Sequence, residues 1–545
     1  MITPLLQHPV GQSSPRARRI TRIVLALLAA PAGLSMACGG QSSPSSSAGG
    51  EGGQSPSGTQ TVGAGGQPSS SSSGVGGSSQ QTSGTGGGGA PAGQANVIFV
   101  LTDDLSMNLV QFMPHVLQMQ KDGATFSNYF VADSLCCPSR TSMFTGKLPH
   151  NSGVFTNQGA DGGYATYLSQ GNDAQTFATA LSAGGYRTAM MGKFLNGYDA
   201  NANDAAAGWT EWDVTDNGYK GYGYPLNING TVVPHGSADA DFLTDVLSGL
   251  GQTFVGDPSA KPFLIELAPF SPHSPYASAP RHANLFPNLK YPHTPSFNAA
   301  PAATDPDWLK PIPALTPAQI KSMDTIYAKR ARAVQSIDEM IGALQKQLVA
   351  SGHDKDTYIF FTSDNGYHLG EHRQMPGKMT AFDTDIHVPL IVTGPGVPAG
   401  LTIDNIAQNI DLCSTFAEIG ETPPPGTVNG HSLVALLHGQ TVAGWRDVAM
   451  IEHHDPKFDP ADPDQDSGVV INPPTYAALR TVDQVYVEYV GGETEFHDRK
   501  TDPFELKNTA AGLSAGKIMK FHDTLAAIKA CTTVDTCWAA QHLKP

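Results

Sequence analysis

The sequence predicts an α/β protein: a mostly parallel sheet sandwiched by helices, followed by a smaller C-terminal α+β subdomain. Three observations carry this. Beyond residue 94, apolar β-rich runs alternate with stretches of helical periodicity, the pattern of strand–helix–strand crossovers. Several of these runs stop at polar side chains, and after about residue 425 the runs shorten and turns multiply.

The run 97–101 is a buried strand ending in Thr102-Asp103-Asp104. The run 263–267 is another, followed by a proline-rich loop from Pro269 to Pro275. Tyr327, Val334, Ile337, Ile341, Leu344 and Leu348 keep helical spacing and form a crossover helix with a packing role. It leads to the strand 358–361, which runs into Thr362-Ser363-Asp364-Asn365-Gly366, and a further strand, 389–392, stops at Gly394-Pro395-Gly396. Asn229-Gly230 between alternating residues marks a hairpin. Toward the end, a strand at 485–490 and a helix near 518–528 belong to the smaller subdomain. In open α/β sheets, sites form beyond the carboxyl ends of the strands, where Asp103, Asp104, Asp364 and Asn365 fall.

Ahead of this region, Arg16, Arg18, Arg19 and Arg22 precede a short apolar run, so residues 1–38 read as an export signal. The run is too short to span a bilayer. Leu34-Ser35-Met36-Ala37-Cys38, followed by two glycines, resembles a bacterial lipoprotein cleavage site and places a lipid anchor on Cys38; plain cleavage near Ala37 is the alternative. Residues 39–94, almost wholly Gly, Ser, Gln, Thr, Ala and Pro, read as a flexible tether. The expected organisation is therefore signal 1–38, tether 39–94, catalytic domain 95–425 and C-terminal subdomain 426–545, exported to a bacterial envelope or secreted. The formal net charge of −16 argues against nucleic acid as a partner, and against a membrane except through Cys38. It also requires that any anionic substrate meet a locally positive site.

Of the six cysteines, Cys531 and Cys537 are spaced to close a small loop in an oxidising compartment, and Cys413 lies in an apolar helical stretch. The adjacent pair Cys136-Cys137 is unusual. A disulfide or metal pair there is a poor alternative, since neighbouring cysteines rarely bond each other and two alone make a weak zinc site.

Cys136-Cys137-Pro138-Ser139-Arg140, followed by Phe144-Thr145-Gly146, resembles the signature of type I sulfatases. The resemblance implies that a formylglycine-generating enzyme oxidises Cys136 to formylglycine (3-oxoalanine), leaving Cys137 as the variable position. A hydrated aldehyde transfers one oxygen to sulfur and then expels sulfate by deprotonation of the other, which a serine cannot do. Such a site needs a hard cation, calcium or alternatively magnesium, on oxygen ligands. Asp103-Asp104 and Asp364-Asn365 match the family's metal motifs, with Cys136 completing the shell. Lys193 in Gly192-Lys193-Phe194-Leu195-Asn196 and Lys378 in Gly377-Lys378 match sulfate-gripping lysines, Arg140 orients the diol, and His273 is the candidate general acid.

Many members carry a histidine two residues after the first lysine, where this chain has Leu195. His368 is the expected replacement base, with His372 on a shared helical face; His150 and Asn151 are expected substrate contacts. The combination is most similar to the branch containing N-acetylglucosamine-6-sulfatase and the heparan endosulfatases, and the tail around Glu495 to Asn508 resembles the usual sulfatase ending. The resemblance implies an alkaline-phosphatase-like core and a sulfated carbohydrate or aryl sulfate substrate. Its alternatives are a phosphonate or phosphate monoester hydrolase using the same site and a non-catalytic glycan-binding surface protein. The loops 198–234 and 453–474 are expected to build the pocket walls.

Overall fold

The computed structural model describes residues 93–202, 204–455 and 472–544. The export signal with Cys38, all but the end of the tether, and most of the loop 453–474 lie outside the described residues. In chain order the strands are β1 (Asn96–Thr102), β2 (Ala124–Phe126), β3 (Tyr129–Phe130), β4 (Arg187–Lys193), β5 (Glu211–Thr215), β6 (Pro225–Ile228), β7 (Thr231–Pro234) and β8 (Phe263–Ala268). They continue as β9 (Thr357–Ser363), β10 (Leu390–Thr393), β11 (Leu401–Ile403), β12 (Ala407–Gln408), β13 (Ala449–His453), β14 (Tyr476–Arg480), β15 (Gln484–Tyr489) and β16 (Thr494–Asp498).

Among the described residues, ten strands form the main sheet in the order β11-β2-β10-β9-β1-β8-β4-β5-β6-β7. Its centre, β9-β1-β8-β4-β5, is parallel throughout, whereas β10 pairs antiparallel to β9 and β2. Every residue of β1 is buried, because helices cover both faces. Val97, Phe99 and Leu101 join one apolar layer with the helices Cys136–Thr145, Phe177–Ala183 and Asp411–Ile419. Ile98 and Val100 join the other, with Pro114–Asp122, Leu243–Val255 and Pro317–Ser351.

The helix Pro317–Ser351 is the expected crossover, entered through a Thr316/Gln319 capping box and stopped by Gly352 at φ +79°. Asn229 and Gly230, both at positive φ, turn the chain between β6 and β7 as the sequence predicts.

Toward the C-terminus, β13-β14-β15-β16 form a separate antiparallel sheet. The helix Ala515–Lys529 seats Phe521, Leu525 and Ile528 on its apolar side, next to the Cys531–Cys537 disulfide. Cys413 is buried in the helix Asp411–Ile419. No helix among the described residues is long and apolar enough to cross a membrane.

What positions the site is the carboxyl edge of the parallel strands. Thr102 pairs with Ser363 and Gly192 with Ala268, so β1, β9, β4 and β8 end together. Asp103-Asp104, Asp364-Asn365 and Lys193 therefore emerge side by side, with the loop bearing His273 following β8.

Candidate active site

Cys136 is the first residue of the helix Cys136–Thr145, preceded by Leu135 in extended conformation. All ten residues of this helix are buried. Its amino end brings partial positive charge to Cys136. Gly146, at φ +68°, ends it, and a Cβ there would sit 3.0 Å from Cys413 Cβ, so Cys413 packs beneath this turn.

The Cys136 sulfur lies 3.3 Å from Asp103 Oδ1, 4.0 Å from Asp104 Oδ1 and 3.6 Å from Asn365 Oδ1, while Lys378 Nζ donates to it at 2.8 Å. Ligand atoms of Asp103, Asp104, Asp364 and Cys136 all fall within 4.8 Å of one another, every one of them buried. Lys193 Nζ donates to Asp103 Oδ2 at 2.8 Å, and Lys378 Nζ to Asp104 Oδ1 at 2.8 Å. Arg140 Nε donates to Asp364 Oδ2 at 2.9 Å, and its Nη1 to the carbonyl of Lys193 at 2.9 Å. The His273 ring donates from Nδ1 to the Ser274 carbonyl at 2.8 Å, which turns Nε2 toward Asp104 Oδ2 at 3.5 Å.

Burial pushes the Asp103 carboxyl up despite Lys193. At Asp364 burial acts the same way, but Arg140, Lys193 and Lys378 together outweigh it and hold this carboxyl below its ordinary value. The three carboxylates face three full cations. A divalent cation in the same cage would leave it net positive, the sign that an anionic substrate needs in so acidic a protein. Buried carboxylate oxygens with an adjacent amide oxygen are the donor set of a hard cation, so the residues present fit calcium or magnesium.

The fold thus brings together Asp103, Asp104, Cys136, Arg140, Lys193, His273, Asp364, Asn365 and Lys378. His368 does not join them. Its Nδ1 is paired with Asp385 at 3.0 Å, its backbone bonds Gly377 in both directions, and its Nε2 edge faces Gly377. Burial lowers the ring's proton affinity, but Asp385 more than compensates and raises it. The ring expected as the base at the sulfur thus faces Asp385 and the segment that carries Lys378.

His372 shares no helix with His368: it sits at φ +51°, stacks on Phe382 at 4.1 Å, and burial drives it down to about 3. His150 and Asn151, the expected substrate contacts, lie against the C-terminal segment. The first binds Glu452 at 2.7 Å and the second the Cys531 carbonyl at 3.1 Å, tying down the C-terminal segment.

Sequence reasoning missed several supports. Ser139 Oγ donates to the Asp364 carbonyl, and Tyr219 lies 4.7 Å from the His273 ring and 5.1 Å from Lys193 Nζ. Arg330 reaches the Asp104 carbonyl from the crossover helix. Ser139 was visible inside the motif; Tyr219 and Arg330 carry no local signal.

An α/β sheet whose carboxyl edge gathers buried carboxylates, lysines and an arginine around a helix-start cysteine defines a hydrolase for anionic esters. Comparison with known proteins narrows this. The family model "Sulfatase" matches residues 95–421, and that described as "N-sulphoglucosamine sulphohydrolase, C-terminal" matches 370–530. The chain belongs to the sulfatase family and is a sulfuric ester hydrolase.

N-acetylglucosamine-6-sulfatase of Capra hircus is 32% identical over 80% of this chain and 84% of its own length, and that of Homo sapiens 32% over 80% and 85%. An extracellular sulfatase SULF-1 homolog of Drosophila melanogaster is 34% identical over 66% of this chain, which spans only 33% of that protein. The fold is alkaline-phosphatase-like. A protein solved in complex with its substrate D-glucosamine-2-N,6-O-disulfate superposes with a TM-score of 0.66 at 22% identity, covering 79% of this chain and 97% of that one. The phosphonate monoester hydrolase of Agrobacterium radiobacter gives 0.62 at 20%, covering 80% and 96%.

Proposed function

We propose that this chain hydrolyses sulfate esters of sulfated carbohydrate, with Cys136 converted to formylglycine and calcium held by Asp103, Asp104, Asp364 and Asn365. The observation that carries this reading is the Cys136 side chain at the focus of two aspartates, Asn365 and Lys378, at a helix start. When in place, the hydrated aldehyde supplies an oxygen nucleophile with a built-in route for sulfate release, and the cation supplies charge neutralisation.

This chain's own residues do the rest. Arg140 holds Asp364 and the Lys193 backbone in one arrangement, so that the β9 and β4 edges keep their spacing. Lys378 presents its ammonium at Cys136 and Lys193 at the neighbouring Asp103, where both can grip sulfate oxygens. His273, with Nδ1 committed to the Ser274 carbonyl, offers Nε2 as the acid that protonates the leaving oxygen. The burial of the whole cluster keeps bulk water from competing for these groups.

The 6-sulfate of an N-acetylglucosamine residue is the first natural substrate to test, given the named relatives that match over most of their length. An exported protein, anchored through Cys38 or secreted, accords with the arginine-led apolar segment and with the Cys531–Cys537 disulfide.

Mass spectrometry of the Cys136 peptide from the native host should find the aldehyde in place of the thiol, and nitrophenyl sulfate should be cleaved faster than nitrophenyl phosphonate. Cys136→Ala should abolish turnover and leave the melting temperature nearly unchanged. Unmodified cysteine together with no sulfatase activity would sink the reading; faster phosphonate cleavage would move the substrate class to phosphonate monoesters.

A further inference from the structure

The side chain of Arg330 is almost fully buried, at 1% exposure, and projects from the crossover helix Pro317–Ser351 to the edge of the sheet. Its Nη2 donates to the backbone carbonyl of Asp104 and, at 3.0 Å, to Ser106 Oγ. Asp104 is not an ordinary residue there: it adopts φ +63°, in the left-handed region that side chains other than glycine occupy at a cost. The guanidinium also lies 4.2 Å from the centre of the Tyr367 ring, two residues beyond Asn365, and 6.0 Å from that of Tyr276, three residues beyond His273. Tyr276 and Tyr367 share a hydroxyl contact of 3.0 Å, and Ser106 Oγ donates to the Tyr367 carbonyl at 3.0 Å. One planar cation thus touches the loops after β1, β9 and β8, which carry both acidic motifs and the candidate acid.

We propose that Arg330 is a positioning residue that sets the calcium affinity of the centre, by locking the Asp104 backbone in its left-handed turn and clamping the Asn365–Tyr367 segment against it. This rests on the metal reading above and adds to it a residue that touches neither ion nor substrate. A single hydrogen-bonding group would hold Asp104 alone. A guanidinium bonds in its plane and stacks on its face, so it fixes two loops relative to each other. Without it, Asp104 is free to relax out of the strained turn, and its carboxylate no longer meets Asp103 and Asp364 at ligand spacing.

The test is calcium titration calorimetry on the mature enzyme after chelation, for the parent, Arg330→Lys and Arg330→Met. Arg332→Met, which removes a half-buried arginine from the same helix, serves as the control. Both Arg330 variants should bind calcium about tenfold or more weakly, the size seen when the supports of metal ligands are lost. Their kcat on nitrophenyl sulfate should return to near the parent value at saturating calcium, and the control should match the parent in both. If Arg330→Met does not fold, Arg330→Lys, which keeps the charge and most of the volume, decides the matter. Unchanged calcium affinity in the folded variants would overturn the proposal, as would a loss of kcat that saturating calcium does not restore. A parent enzyme that binds no calcium would overturn the metal reading instead, and this proposal with it.

Discussion

Cys136 differs from Cys137 and Cys413 in what surrounds it, although all three are buried thiols. Burial pushes the Cys137 thiol up to about 12 and the Cys413 thiol higher still, so both are inert packing groups. Cys136 instead contacts Lys378 Nζ and two carboxylates.

A second residue shows the opposite logic. Glu266, on the central strand β8, lies fully buried between Phe99 and Met190 of the neighbouring strands, with neither carboxylate oxygen hydrogen-bonded. Burial raises it to about 8, against a weaker pull from Arg140. The folded state therefore keeps a proton that the unfolded chain releases near the ordinary glutamate value. Stability is full below that value and declines as pH rises through about 8. Glu266→Gln should remove this decline: the variant should melt above the parent in alkaline buffer, with the gap closing toward about pH 5 in thermal scans.

At the scale of elements, the segment between β9 and β10 is the informative one. Helical periodicity from His368 to His372 is absent; the backbone instead turns repeatedly through positive φ at His372, Arg373 and Met379. Lys378 is held at the sulfur from behind. Asp385 accepts from the Thr380 amide at 3.0 Å and from His368 Nδ1, and the Met379 amide donates to the Ser134 carbonyl at 3.2 Å. Removing one partner of a buried pair leaves the other uncompensated, so His368→Ala should lose about 3 kcal/mol in urea unfolding. Because Asp385 raises the histidine, the pair's contribution is complete below the ordinary histidine value and fades as pH rises through the raised one; the deficit of His368→Ala should shrink in alkaline buffer. A deficit that is the same at acid and alkaline pH would mean that the ion pair does not contribute. In activity assays this variant should weaken substrate binding and cleavage together, through misplacement of Lys378, whereas a selective slowing of sulfate release would restore His368 as the base.

For the whole molecule, the acidic cage and the net charge of −16 set up one requirement. Three buried carboxylates converge from strand ends far apart in sequence, and their repulsion is offset by Arg140, Lys193 and Lys378 only to neutrality. Chelation should therefore abolish turnover of nitrophenyl sulfate and lower the melting temperature, and re-addition of calcium to about a hundredfold over its Kd should return roughly 2.7 kcal/mol of stability. An enzyme equally active and equally stable after exhaustive chelation would contradict the metal assignment.

The sequence by itself determined the elements whose signal is local. Apolar runs bounded by acidic or proline-rich turns became β1, β8 and β9, because strands buried on both faces are predominantly apolar, Glu266 in β8 being an exception. The Cys136 motif, both acidic pairs, Lys193, Lys378 and His273 were legible because motif spacing survives without knowledge of the fold. Only the tertiary structure decided what each histidine faces. His368 follows the same strand as Asp364, yet Asp385, 17 residues on, captures its ring, and His150 is taken by Glu452, 302 residues away. Arg330 and Tyr219 were invisible for the same reason: packing a helix or a loop against the sheet edge brings distant side chains to the site, and no periodicity within their own segments records that contact.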